Sequence, residues 1–106
     1  MPAIDVLPGD LEIVRSILAR FVPGVEVRLF GSRTSGRSRR FSDLDLVVMS
    51  ERPLDLKVLA RLIRAFAESS LPFKVDVLDA ATLADDFRGR ILDGSIVVQE
   101  AEFKTG

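Results

Sequence analysis

Apolar and polar residues alternate along this chain with two different periods, and the switches between them outline its elements. After a lead-in over residues 1–8 containing Pro2 and Pro8, apolar side chains recur at Leu11, Val14, Ile17, Leu18 and Phe21. That spacing predicts a helix from about Gly9 to Phe21 with one buried stripe, Asp10 near its start and Pro23-Gly24 as its stop. Val25 to Phe30 then alternates every second residue, as a half-buried strand does, with Val25, Val27 and Leu29 on one face and Glu26, Arg28 and Phe30 on the other.

Gly31 ends that strand, and Ser32 to Arg40 is polar and arginine-rich, a short helical turn followed by a loop. Phe41 to Met49 reads as a second strand, with Leu44, Leu46 and Val48 facing one way and Asp43, Asp45 and Val47 the other. Pro53 suits a first helical position, and the segment to Glu68 sets Leu56, Leu59, Leu62, Ile63 and Phe66 on one side of a second helix. Ser69 to Pro72 connects to a third strand, Phe73 to Leu78, with Val75 and Val77 opposite Lys74, Asp76 and Leu78. Asp79, one residue on, is expected in a turn or cap. Thr82 with Asp85 predicts a capping box for a last helix carrying Leu83, Phe87 and Ile91, with Gly94 as its stop. Ile96-Val97-Val98 predicts a short final strand or an apolar contact segment, before a polar end. The order predicts a small α/β unit whose sheet carries helices on one face and leaves the other partly open. Glu26, Arg28, Asp43, Asp45, Lys74 and Asp76 collect on that open face, where water, metal or ligand must cover their charges.

Composition narrows the chemistry. At 106 residues, 47% hydrophobic and 29% charged, the chain predicts one soluble domain, residues 1–106 with a core over 10–99. It shows no apolar run of membrane-spanning length and no secretory leader, which predicts a cytoplasmic protein. There is no cysteine and no histidine, so disulfides, thiolate zinc sites, a cysteine nucleophile and the usual general base are all excluded. Carboxylates, hydroxyls, cationic side chains and an oxygen-seeking metal remain. The net charge of −1 gives no support for direct nucleic-acid binding, although Arg28, Arg33, Arg37, Arg39 and Arg40 fall close together. That cluster reads either as a solvated loop or as a site for phosphates or an acidic partner; Phe41 is the only ring near it.

Asp43 and Asp45 stand two residues apart on a strand and therefore project together. Two such acids repel unless a cation sits between them or one takes a proton. Mg²⁺ suits them, because it takes oxygen ligands and commonly joins a few carboxylates to substrate phosphates. Asp76, on the same face of a later strand, supplies a third ligand, and three carboxylates with a triphosphate make a two-metal site. Gly31 lets the main chain approach a phosphate, Ser32 offers a hydroxyl and N–H groups at the start of a turn, and Arg33 offers charge. Neither a Walker loop nor a dinucleotide fingerprint is present. An isolated Asp-x-Asp is commonly a solvated turn, and an isolated Asp76 an edge-strand charge; the combination is what carries weight.

Gly31-Ser32, ten residues, Asp43-Leu44-Asp45, with Asp76 on a later strand, resembles the active-site signature of the DNA polymerase β-type nucleotidyltransferase superfamily. The run LFGSRTSGRSRRFSDLDLVV and the strand KVDVLD resemble its minimal members, the MNT domains, over residues 10–99. The resemblance implies a polymerase β-like fold with a small mixed sheet and helices mainly on one face. It implies Asp43, Asp45 and Asp76 as metal ligands and catalytic carboxylates, with Gly31, Ser32 and Arg33 on the nucleotide phosphates. It further implies an Mg²⁺-dependent antitoxin, using two ions, that transfers AMP from ATP to a tyrosine of a partner HEPN ribonuclease toxin. The absence of tyrosine here is consistent with an acceptor on another protein. Two other functions stay open on the sequence: a non-catalytic antitoxin that masks its toxin by stoichiometric binding, and nucleotidyl transfer to a small molecule. The second is disfavoured, as is a polymerase, because 106 residues leave no room for an acceptor-binding module.

Overall fold

A computed structural model describes residues 6–34 and 42–102. The lead-in over 1–5, most of the arginine loop with Arg37, Arg39 and Arg40, the expected strand start at Phe41 and the end of the chain lie outside the described residues. Among the described residues four strands form one sheet: β1 (Val27–Phe30), β2 (Leu44–Val48), β3 (Val75–Asp79) and β4 (Ile96–Gln99), in the order β3-β2-β1-β4. β1 runs antiparallel to both β2 and β4, while β2 and β3 are parallel. The sheet is therefore mixed, as the resemblance implied. Its one irregularity falls between Val27 and Arg28 in the β1–β4 pair, so the registers of β2 and β3 are unbroken.

α1 (Pro8–Phe21) and α2 (Leu56–Ala67) pack on one face of the sheet. Val14 and Leu18 from α1, and Leu62 and Phe66 from α2, close over Val27, Leu29, Leu44, Leu46 and Val48. Every second strand residue thus enters one core, which is what the period-two pattern requires. α1 begins one residue earlier than expected, on Pro8, whose fixed φ and missing N–H suit a first helical turn. It ends where Val22 N–H reaches the Leu18 carbonyl at 2.8 Å, before Gly24 turns the chain at φ +76°. Gln99 then locks this corner to β4 through bonds from its amide to the Val22 and Val25 carbonyls at 2.8 and 2.7 Å.

Expectations are corrected on both remaining helices. α2 does not start at Pro53. Leu54 N–H is engaged by the Asp79 carboxylate at 2.7 Å, which pins the chain to the end of β3, and the helix begins only after Asp55 caps the Lys57 N–H at 2.7 Å. Its buried seam is Val58, Leu62 and Phe66, whereas Leu56 is 81% and Ile63 45% exposed. The third helix, α3 (Asp85–Leu92), has Ala84 before it and no side-chain cap. Thr82 instead donates to the Asp79 carbonyl at 2.8 Å inside a 3-10 turn over Ala80–Thr82. Ile91 of α3 is buried, while Phe87 is 48% exposed.

α3 also refines the expected layering. It lies on the face opposite α1 and α2, where Ile91 joins Val47 and Ala80, with Phe30, Met49, Leu78, Leu83 and Leu92 packed around them. The second face is thereby divided into an apolar part under α3 and an uncovered part carrying the acids.

Asp79 holds the junction of β3, the 3-10 turn and the approach to α2. It is only 6% exposed, and it accepts from Ser50 Oγ at 2.8 Å, Ala81 N–H at 3.0 Å and Leu54 N–H at 2.7 Å. Asp79→Ala leaves three donors without their partner and is expected to cost about 3 kcal/mol, read as a lower urea midpoint with an unchanged slope. A midpoint shift worth under about 1 kcal/mol would remove Asp79 from this role.

Candidate active site

The site begins where β1 ends. Phe30, its last residue, pairs with Asp45 of β2, so the next residue, Gly31, leaves the sheet beside the Asp45 side chain. Gly31 has φ +82°, and a Cβ built on it would stand 2.5 Å from Asp45 Oδ2. Both facts require glycine: an L side chain is strained at this φ, and the space for it is already filled by a carboxylate oxygen. Gly31–Thr34 forms a 3-10 turn, closed by Thr34 Oγ1 donating to the Gly31 carbonyl at 2.7 Å, and Ser32 is its second residue.

Arg33 follows within that turn and points inward. Its guanidinium donates to the Ser42 carbonyl from Nε at 3.2 Å and from Nη2 at 2.8 Å, and it lies 4.3 Å from the centre of the Phe73 ring. The side chain is 4% exposed. A guanidinium this buried needs hydrogen-bond acceptors and a ring face, and it has both. Arg33 thus ties the start of the loop to its end at Ser42, and ties both to the segment that enters β3. The sequence shows the charge but not the direction in which it turns; Phe73, ahead of the third strand, was the available signal.

The acids come next. Ser42 precedes Asp43, which lies exposed just before β2. Leu44 N–H donates to the Lys74 carbonyl at 2.8 Å, and in the resulting register Asp45 stands directly beside Asp76 on the neighbouring strand. Strand parity therefore does bring Asp76 next to Asp45, as the sequence implied. Burial first, then the charges of Asp76 and Asp43, pushes the Asp45 carboxyl above its ordinary value of 3.8. Lys74 Nζ approaches Asp76 Oδ1 at 3.5 Å on the solvent side. As the side chains stand, no three acids among the described residues converge tightly enough to cage a metal ion.

A cavity of about 440 Å³ opens over this pair, lined on the sheet face by Phe30, Asp45, Lys74, Asp76 and Leu78. The other charges expected here are committed elsewhere. Arg28 Nε bonds Glu26 Oε2 at 3.2 Å and its Nη1 meets Ser95 Oγ at 3.2 Å, a pairing across the sheet away from the acids.

The nucleotidyltransferase domain family matches residues 11–100 of this sequence. The chain is 46% identical over 99 residues to Probable protein adenylyltransferase MntA of Haemophilus influenzae, covering 93% of this chain and 87% of that protein. Among solved structures, one described as a minimal nucleotidyltransferase is 38% identical and superposes with a TM-score of 0.65, over 83% of this chain and 88% of that one. The fold is also shared with a chain of a toxin–antitoxin structure with AMP-PNP, at 22% identity and a TM-score of 0.72 over 87% of this chain and 74% of that one. A chain from a complex of the tri-AMPylated Shewanella oneidensis HEPN toxin with its MNT antitoxin superposes with a TM-score of 0.66, at 20% identity over 87% of this chain and 71% of that one. No helix among the described residues is long and apolar enough to cross a membrane. With its acid pair, its glycine and its mixed sheet all inside the matched span, this chain belongs to the nucleotidyltransferase domain family.

Proposed function

We propose that this protein transfers AMP from ATP to a tyrosine hydroxyl of a partner HEPN-family toxin and thereby neutralises it. The observation that carries the reading is the Asp45–Asp76 pair, in register on two parallel strands with Asp45 against Gly31, on the part of the sheet that α3 leaves open. Its support is the chain's 46% identity to a protein named a probable protein adenylyltransferase, and a fold shared with chains of a toxin–antitoxin structure with AMP-PNP and of a complex of an AMPylated HEPN toxin with its MNT antitoxin.

The donor set fits Mg²⁺. Asp43, Asp45 and Asp76 offer only oxygen, and the burial of Asp45 together with the charges of Asp76 and Asp43 beside it makes an imbalance that a divalent cation would relieve. These three residues would hold it, with substrate phosphates and water completing its ligands; bound there, it would neutralise phosphate charge and acidify the acceptor hydroxyl. Gly31 and Ser32 form the phosphate side, because the glycine main chain can approach an anion with no Cβ in the way. Arg33 we assign to bracing this loop, since its guanidinium is engaged with Ser42 and Phe73. In the transfer, the acceptor oxygen attacks the α-phosphorus and a new O–P bond forms. The bond from that phosphorus to the bridging oxygen breaks, and pyrophosphate leaves with its electron pair. Asp76, on the outermost strand, receives the hydroxyl proton; the chain has no histidine to do so.

Labelled ATP, Mg²⁺ and the cognate HEPN toxin test this directly. Label is expected on a toxin tyrosine, with Asp45→Asn slower by more than about a hundredfold. Full inhibition of the toxin at one-to-one without ATP, with no label transferred, would replace transfer by masking.

Asp45 also predicts a pH dependence. Its folded pKa lies above the unfolded one, so the folded state binds the proton more tightly, and its carboxylate form weakens the fold. Asp45's contribution to metal-free stability is therefore fully present below its unfolded pKa and is lost as pH rises through the folded value. Asp45→Asn is expected to raise the metal-free Tm at pH 7, with the gain shrinking on acidification, and to abolish stabilisation by Mg²⁺. A lower Tm at pH 7 in the variant would contradict this account of the acid pair.

Gly31→Ala places a Cβ against Asp45 Oδ2 at a positive φ. It is expected to cost about 1–2 kcal/mol in thermal unfolding and to cut transfer more than that loss explains. An active variant of normal stability would show that the close approach is dispensable.

A further inference from the structure

β3 is the outer strand on the acid side of the sheet. Leu44 N–H bonds to the Lys74 carbonyl, so the main chain of Lys74 turns inward toward β2. Main-chain direction alternates along a strand. Asp76 and Leu78 therefore also turn inward, while Val75 and Val77 turn their N–H and C=O groups outward. No other described residue pairs with those outward groups.

Sheets normally blunt a free edge with charge or cover it. Lys74 and Asp76 place charge on the open face of this edge, but its helix face is apolar. α2 starts at the end of β3, where Asp79 holds Leu54, and runs back along the strand carrying the exposed Leu56 and Ile63. These two are seven residues apart and share one side of the helix. Ile63, Val75 and Val77 line the same cavity as Asp45 and Asp76, so the space over the acids continues around the strand edge onto the helix side.

We propose that the acceptor polypeptide docks as an extended strand on the outer edge of β3, its backbone pairing with Val75 and Val77. Side chains of an added strand alternate between the two faces. The hydroxyl-bearing residue then lies on the open face beside Asp76, and the residues on either side of it lie on the helix face against Ile63. The occupant is a polypeptide because the edge presents backbone donors and acceptors, and because one continuous cavity joins that edge to the catalytic acids. The placement also accounts for an apolar stripe on α2 that contributes nothing to either core. This inference rests on the transfer reading above and specifies how the acceptor reaches the site.

Two variants and one exchange measurement test it on the full chain. Val77→Pro deletes an outward N–H and no bond of the β2–β3 ladder, and Ile63→Glu alters an exposed helix position that folds independently of the edge. Each is titrated with Mg²⁺ and AMP-PNP and assayed for AMP transfer over a range of cognate toxin concentrations. Hydrogen exchange is followed at single amides with and without toxin. The expected result is unchanged AMP-PNP affinity, a rise of about tenfold or more in the KM for toxin, and slowed exchange at Val75 and Val77 when toxin is bound. Should Val77→Pro fail to fold, Ile63→Glu and the exchange data decide alone. A normal KM in Ile63→Glu, or Val75 and Val77 amides that toxin leaves unprotected, overturns edge docking while the transfer reading stands. If the unaltered protein transfers no AMP to the toxin, the transfer reading fails and edge docking of an acceptor fails with it.

Discussion

The site depends on one close approach, that of the Asp45 carboxylate to the main chain of Gly31, in the space a side chain would occupy. Two strand registers produce it. Pairing of Phe30 with Asp45 delivers Gly31 to the acid, and pairing of Asp45 with Asp76 brings the second carboxylate alongside. A slip of one residue in either pair would turn Asp45 into the core space of Leu44 and Leu46, where an unpaired charge costs far more than the core gains. The placement of the acid pair and the hydrophobic core are thus specified by the same alternation, and neither can shift without the other.

Against that rigid frame the acids themselves are a source of instability. Burial and two neighbouring charges disfavour the ionised form of Asp45, and Lys74 pairs with Asp76 at 3.5 Å. A fold selected for stability alone would extend the cover of α3 from Val47 and Leu78 to the acid row. Instead α3 stops short and leaves the acid row open, where a bound cation would offset the charge repulsion. Local instability at a working site of this kind is a familiar trade against function.

Much of this was legible in the chain. Period-two alternation in Val25–Phe30 and around Asp43–Asp45 assigns the faces of β1 and β2 correctly, because each has one apolar side that enters the core. Strand parity placed Asp76 beside Asp45 for the same reason. What could not be read depended on contacts distant in sequence. Pro53 carries a good helix-start signal, yet Asp79 captures the next N–H from 25 residues away and delays the helix. Thr82 and Asp85 have capping-box spacing, but the 3-10 turn claims the threonine hydroxyl first. Arg33 looks like a phosphate ligand by position, while the direction of its side chain is set by Phe73 and Ser42, which only the fold brings together.

The misassigned apolar positions are the more instructive. Periodicity put Leu56, Leu59, Leu62, Ile63 and Phe66 on one helical side, and a core-facing helix commonly has a stripe that wide. In a four-stranded sheet this small, α2 shares its face with α1, and the seam closes on Val58, Leu62 and Phe66. Leu56 and Ile63 are then surplus to the core, and a substitution to polar residues would cost the isolated fold little. Surplus apolar surface is unremarkable when scattered, but Ile63 lines the acid cavity beside the outer edge of β3, with which no described residue pairs. Where a pattern predicts burial that the fold does not provide, the unsatisfied surface points to a second chain.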